Sequence, residues 1–93
     1  MNVTRRARIL VVDDQAPTRM LLADLLRAEG HQVTEADGGQ SGLSAAMALA
    51  PDLVLLDVLM PDMDGIEVCR RMRAVPGLAA LPIVMVKIGR AHV

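Results

Sequence analysis

Several residue types are missing or scarce in this chain of 93 residues, and each absence narrows the possible functions. There is no Phe, Tyr or Trp, and the single cysteine, Cys69, excludes an internal disulfide. No apolar run is long enough for a membrane span or a signal peptide, so we expect a cytoplasmic protein. Ten basic and eleven acidic side chains give a net charge of −1, so we expect neither nucleic acid nor a membrane surface as a partner of this domain.

What the chain does contain is a regular alternation of apolar strands and amphipathic helices. With 53% apolar residues, it is long enough for one domain with a single core. Predicted strands cover residues 9–12, 31–36, 53–56 and 81–86, and predicted helices cover 16–29, 40–49 and 64–74. This order predicts an α/β fold with a parallel sheet, right-handed crossovers and helices on both faces.

Helical spacing predicts which side chains face the core. They are Leu43, Ala46, Met47 and Ala50 in the second helix and Ile66, Cys69 and Met72 in the third. Asp64 and Glu67 have the spacing of a capping box, which predicts the start of the third helix.

Carboxylates stand at the carboxyl ends of two predicted strands. Asp13 and Asp14 follow the first strand, and Asp57 ends the third. If those strands are neighbours in a doubly wound sheet, the three acids meet in the crevice where such sheets bind ligands. Two carboxylates about 4 Å apart repel by roughly 4 kcal/mol at an effective dielectric near 20, which favours raised pKa values or a bound cation. Mg²⁺ suits such oxygen ligands, and the pocket is then a candidate site for phosphoryl transfer to a carboxylate.

These residues resemble the receiver domain of bacterial two-component response regulators. The resemblance rests on the acid pair in VVDD, on Asp57, on MPDMDG directly after it and on PIVMV as the fourth strand, and it covers residues 8–86. It implies a flavodoxin-like, doubly wound parallel sheet with strand order 2-1-3-4. Complete receivers are already known to have the strand order 2-1-3-4-5. Because this sequence predicts only four strands and three helices, the fifth strand and the last two helices are expected to be missing here.

The resemblance also implies a function. Asp57 is expected to be the phosphoacceptor, which takes a phosphoryl group from a phosphohistidine on a sensor histidine kinase or a phosphotransfer protein. Asp14 and Asp57 would bind Mg²⁺ by side chain, Asp13 would act mainly through water, and Leu59 would contribute its backbone carbonyl. The domain is then a signalling module switched by phosphorylation and not an enzyme with its own small-molecule substrate. Its output domain is not defined by these residues.

The sequence departs from the family pattern at residue 87. Receivers place Thr or Ser after the fourth strand to bind the phosphoryl group, and this position is Lys87, the single lysine of the chain. The letters IGRAHV are also what one reading frame of a common sequencing-library adapter encodes. We therefore expect residues 87–93 to be a non-native tail of an incomplete receiver domain that spans 8–86.

Two other functions fit parts of the pattern. An aspartate-nucleophile phosphohydrolase also uses a strand-end Asp with Mg²⁺, but it needs a second Asp two residues later, where this chain has Leu59. A receiver that binds partners without phosphorylation has no need of the complete acidic set. Cys69 is expected to pack in the core, and His31 is expected to lie at the surface.

Overall fold

The computed structural model describes residues 6–86, which form a parallel sheet with helices packed on it. The elements in chain order are β1 (Arg8–Val12), α1 (Ala16–Ala28), β2 (Gln32–Ala36), α2 (Gly39–Leu49), β3 (Leu53–Asp57), α3 (Gly65–Arg73), a 3₁₀ turn (Pro76–Leu78) and β4 (Ile83–Val86). The strand order is β2-β1-β3-β4 and every pairing is parallel, as predicted.

The two central strands are the most apolar and the most deeply buried. Leu10 in β1 and both Val54 and Leu56 in β3 are fully buried. β2 lies at an edge of the sheet and carries polar residues that are partly exposed, which confirms its predicted position. Buried strands flanked on both sides by partners need continuous apolar runs, and an edge strand does not.

The main core lies between the sheet and the pair α2 and α3. Leu10 and Val12 point into this core, together with Ala46 of α2 and Val68 and Met72 of α3. Because side chains alternate along a strand, the intervening residues of β1 lie on the other face, where α1 packs against β1 and β2. Helices therefore cover both faces, as the doubly wound fold requires.

Three of the predicted core residues are exposed instead, namely Met47, Ala50 and Ile66. Met47 is 52% exposed and Ile66 is 64% exposed, whereas Val68 is fully buried. In α3 the buried residues are Gly65, Val68 and Met72, and Ile66 is rotated by about 130° from the centre of this stripe. The burial of Met72 and the partial burial of Cys69 against the core agree with the prediction.

A close contact between α2 and β1 sets the orientation of α2. A Cβ atom on Gly42 would lie 2.9 Å from both methyl groups of Val12, so the helix approaches the strand closely at this residue. The buried residues of α2 are Gly39, Gly42, Leu43 and Ala46, which leaves Met47 on the exposed side. Ala50, also predicted to face the sheet, is the exposed C-cap of α2 and has a left-handed backbone with φ 47°.

Candidate functional site

The strand register brings the predicted acids together. Val12 at the end of β1 is paired with Leu56 in β3, so the next residues, Asp13 and Asp57, continue side by side at the carboxyl edge of the sheet. Asp14 follows in the turn that leads into α1. This is the edge at which doubly wound sheets bind their ligands.

Each of the three acids offers a carboxylate oxygen, and these oxygens all lie within 4.8 Å of one another. Asp13 is only 2% exposed and Asp57 only 3%, while Asp14 is partly buried. Adjacent oxygens around Mg²⁺ are roughly 3 Å apart and opposite ones roughly 4.2 Å, from Mg–O distances near 2.1 Å. The donor atoms and their spacing therefore fit a hard divalent cation, which would offset the mutual repulsion of the three clustered carboxylates.

The loop after β1 is held in place by two hydrogen bonds of Asp13, one from its backbone and one to its side chain. The N–H of Asp13 donates to the carbonyl of Ala36 at the end of β2, at 3.1 Å. The Oδ1 atom of Asp13 accepts the N–H of Gln15 at 2.9 Å, which satisfies a free donor at the start of α1. Asp13 thus joins the ends of two strands and the first turn of a helix.

The loop between β3 and α3 closes tightly against Asp57. The N–H of Gly65 donates to the carbonyl of Val58 at 2.9 Å, and a Cβ atom on Gly65 would lie 2.5 Å from the Asp57 carbonyl oxygen. Only glycine fits so close to the backbone. The N–H of Leu59 lies 3.4 Å from Asp57 Oδ1, a long hydrogen bond. The loop therefore folds back on the predicted phosphoacceptor.

Two aspartates of this loop cap helices. Asp64 accepts the N–H of Glu67 at 2.9 Å and is the N-cap of α3, as the capping-box spacing predicted. Asp62 caps a different helix: its carboxylate accepts the N–H groups of Gly39 and Gln40 at the start of α2, at 3.0 and 3.1 Å. These two hydrogen bonds hold the pKa of Asp62 below its ordinary value.

Sequence reasoning missed the cap from Asp62 and a partly buried arginine beside the acids. Gly38, the N-cap of α2, has no side chain to cap that helix. A glycine at this position indicates that a residue from elsewhere in the chain supplies the cap. The arginine is Arg19 of α1, which donates to the carbonyl of Asp13 at 3.0 Å and pairs with Glu35. No local motif predicted these contacts.

Two further predictions concern atoms at the rim of the site. Leu59 lies in the loop directly after Asp57 and its side chain is largely exposed, and the role of its carbonyl stays a prediction. Lys87, at the position where receivers have Thr or Ser, lies outside the described residues. The same holds for the predicted non-native tail, residues 87–93.

The fold and the acidic edge together define a doubly wound α/β domain with an acidic crevice at the carboxyl ends of its first and third strands. The family model for the response regulator receiver domain matches residues 9–91. The chain belongs to this family.

Similar proteins agree with this membership. The chain is 49% identical over 82 residues to the DNA-binding response regulator MtrA of Mycobacterium tuberculosis, a match that covers 88% of this chain and 35% of MtrA. It is 42% identical over 85 residues to the transcriptional regulatory protein ResD of Bacillus subtilis, with 91% and 34% of the two chains covered. The chain thus spans about a third of the length of these curated relatives.

A solved structure also has this fold. It is the N-terminal domain of a response regulator receiver protein from Methanoculleus marisnigri, 34% identical, with a TM-score of 0.85 over 92% of this chain and 70% of that one. Among residues 6–86, the structure contains no helix that is both long enough and apolar enough to cross a bilayer.

Proposed function

We propose that this domain receives a phosphoryl group on Asp57 from a phosphohistidine of a sensor histidine kinase or a phosphotransfer protein. The observation that carries the proposal is the position of Asp57 at the end of β3, with carboxylate oxygens of Asp13 and Asp14 within 4.8 Å of its own. A carboxylate is a competent nucleophile toward phosphorus when its surroundings fix it in place and offset its charge.

The acids would hold Mg²⁺ through the side chains of Asp14 and Asp57, through water on Asp13 and through the backbone carbonyl of Leu59. Bound there, the ion would neutralise charge on the carboxylates and on the oxygens of the incoming phosphoryl group. The hydrogen bond from Gln15 to Asp13 and the tight turn at Gly65 fix the backbone on both sides of this cluster. The protein's share of the catalysis is therefore positioning.

In the transfer itself, a carboxylate oxygen of Asp57 attacks the phosphorus of the phosphohistidine. The new O–P bond forms as the P–N bond breaks, and the imidazole leaves with the electron pair of that bond and takes up a proton. The product is an aspartyl phosphate, which water later hydrolyses to return Asp57 and inorganic phosphate. The chain acts as a switched signalling module, and its chemistry is limited to this transfer and the hydrolysis of the aspartyl phosphate.

The partner and the output follow from the same proposal. A histidine kinase or phosphotransfer protein supplies the phosphoryl group, and the phosphorylated domain passes the signal to an output domain outside residues 8–86. MtrA is a DNA-binding regulator by name, but the net charge of −1 on this chain gives the receiver domain no electrostatic reason to bind nucleic acid. We therefore propose that this domain binds protein partners in the cytoplasm.

Labelling with a small phosphodonor tests the proposal. The wild-type chain, Asp57→Asn and Asp52→Asn are incubated with acetyl phosphate and Mg²⁺, and the mass of each intact protein is measured. Asp52 is a suitable control because it is also an aspartate next to β3, but it precedes the first residue of that strand and Asp57 is the last. Its carboxylate accepts the N–H of Arg8 at 2.8 Å, at the amino ends of the strands. Any gain of a phosphoryl group should be slow, because the receiver domain is expected to be incomplete, and it should occur equally in wild type and Asp52→Asn and not at all in Asp57→Asn.

A further inference from the structure

A mostly buried arginine bridges α1, the acid pair and the edge strand. The side chain of Arg19 is only 17% exposed. Its Nη1 atom donates to the backbone carbonyl of Asp13 at 3.0 Å, and its Nε atom donates to Glu35 of β2 at 3.0 Å. Its own backbone N–H donates to the carbonyl of Gln15, also at 3.0 Å. Arg19 therefore spans the turn that carries both Asp13 and Asp14.

The carbonyl that Arg19 binds lies between the two acids in the chain, so its orientation affects the direction of both carboxylates. It belongs to the planar peptide unit that joins Asp13 to Asp14. Fixing that plane restricts ψ of Asp13 and φ of Asp14, and these angles decide where the two carboxylates point. The backbone N–H of Asp13 is already bound to Ala36, so Arg19 supplies a second anchor for the backbone of the same residue.

The chemistry of arginine suits this task. Its planar guanidinium presents several donors in a fixed arrangement, so one side chain serves a carbonyl and a carboxylate at once. Glu35 orients the guanidinium, and the low exposure of the pair makes the bond to Asp13 stronger than an equivalent surface contact.

From this geometry we infer that Arg19 is a positioning residue for the metal site: it orients the Asp13–Asp14 peptide so that the two carboxylates converge with Asp57. The inference rests on the proposed Mg²⁺ site and adds a residue that touches neither the ion nor the phosphoryl group. Partners that orient metal ligands from outside typically change metal affinity 10- to 100-fold when they are removed.

The chain offers a matched control in Arg27. This residue of α1 also pairs with Glu35, at 3.3 Å, and also donates to a backbone carbonyl of the same edge strand, that of Val33, at 3.0 Å. Neither of these two partners belongs to the acid pair. Arg19→Gln and Arg27→Gln each remove one ion pair with Glu35 and one bond to a carbonyl, and Arg27→Gln also removes a 3.7 Å ion pair with the exposed Asp24. Only Arg19→Gln removes a hydrogen bond to the acid pair.

The experiment measures Mg²⁺ binding to the full chain by calorimetric titration at pH 7, well below the melting temperature, for wild type, Arg19→Gln, Arg19→Lys and Arg27→Gln. We expect Arg19→Gln to weaken Mg²⁺ binding roughly tenfold, and Arg27→Gln to change it less than about twofold. The Mg²⁺ affinity of Arg19→Lys should lie between these two, because lysine keeps the positive charge but not the planar guanidinium with its several donors. Without metal, amide hydrogen exchange at Gln15, whose N–H is bound to Asp13, should be faster in Arg19→Gln than in Arg27→Gln.

The possible results separate the two proposals. If wild type binds Mg²⁺ and the Arg19 variants bind it as tightly as Arg27→Gln does, the positioning role is wrong while the metal site stands. If Arg19→Gln fails to fold, the Mg²⁺ affinity of Arg19→Lys is compared with that of Arg27→Gln, and equal affinities contradict the positioning role. If wild type and all variants bind no Mg²⁺, the metal site is wrong and the role of Arg19 falls with it.

Discussion

Asp62 lies 23 residues from Gly39 in the chain, yet its Oδ1 atom accepts the Gly39 N–H at 3.0 Å. The loop that follows the proposed phosphoacceptor is thereby tied to the first turn of α2. Because α2 begins at glycine residues that have no capping side chain, this loop supplies the cap. A change in the conformation of this loop on phosphorylation would therefore alter the hydrogen bonds at the first turn of α2.

The first prediction concerns this cap. Asp62→Ala should lower the melting temperature because the N–H groups of Gly39 and Gln40 lose their acceptor, and Asp62→Asn should lower it less because the amide oxygen still accepts. The pKa of Asp62 is lowered from its ordinary value of 3.8, so the contribution of its charge to stability is complete above that pH. It is lost as the pH falls through the lower pKa of the folded state.

Urea unfolding at several pH values checks this. The difference in midpoint between wild type and Asp62→Asn should be constant from pH 7 to about pH 5 and should shrink below 3.8. A difference that grows on acidification has the wrong sign and would contradict the cap.

The second prediction concerns Gly65. Gly65→Ala should destabilise the fold by about 1–3 kcal/mol, because the added Cβ would meet the Asp57 carbonyl at 2.5 Å and backbone atoms cannot move aside cheaply. Gly77→Ala is the control, since a Cβ there has no atom within 4 Å. Chemical denaturation of both variants measures the difference. Equal stabilities would mean that the loop does not close on Asp57 as described.

The third prediction concerns Ala50, whose backbone has φ 47°. A left-handed backbone is strained for alanine but not for glycine, so Ala50→Gly should stabilise the chain by about 0.5–1 kcal/mol. Ala48→Gly, on the exposed side of the same helix, should destabilise it by about 1 kcal/mol. Opposite signs in thermal melts support the left-handed C-cap of α2, and destabilisation by both variants argues against it.

The fourth prediction concerns metal. Mg²⁺ should raise the melting temperature of wild type, and a concentration ten times the dissociation constant should stabilise it by about 1.4 kcal/mol. Asp14→Ala should lose this shift, because one of the three carboxylates that converge at the site is gone. NaCl at matched ionic strength is the control. An equal Mg²⁺ shift in Asp14→Ala would exclude the acid cluster as the binding site.

The helices and strands were predictable because their signals are local, and the strand order was what the resemblance to receivers implied. Short apolar runs gave the central strands, and the acids at their ends gave the crevice once the strands were paired. The cap at Asp64 was also predictable, because its partner Glu67 is only three residues away.

The missed features depend on contacts that no local pattern contains. Arg19 meets Glu35 across 16 residues, and Asp62 meets Gly39 across 23. Ile66 is apolar, so its type suggested burial, but packing around Gly65, Val68 and Met72 set the rotation of α3 and left it exposed. Hydrophobic type predicts that a helix has a buried face more reliably than it predicts the residues at the margins of that face.

The most direct test of the central claim locates the phosphoryl group on the chain. Wild-type protein is incubated with acetyl phosphate and Mg²⁺, and the acyl phosphate is reduced with borohydride, which converts a phosphorylated aspartate into homoserine. Peptide mass spectrometry then finds the converted residue. Homoserine at position 57 alone, and none in Asp57→Asn, is the predicted result, and homoserine at any other aspartate or in the Asp57→Asn protein would contradict the assignment of Asp57 as the phosphoacceptor.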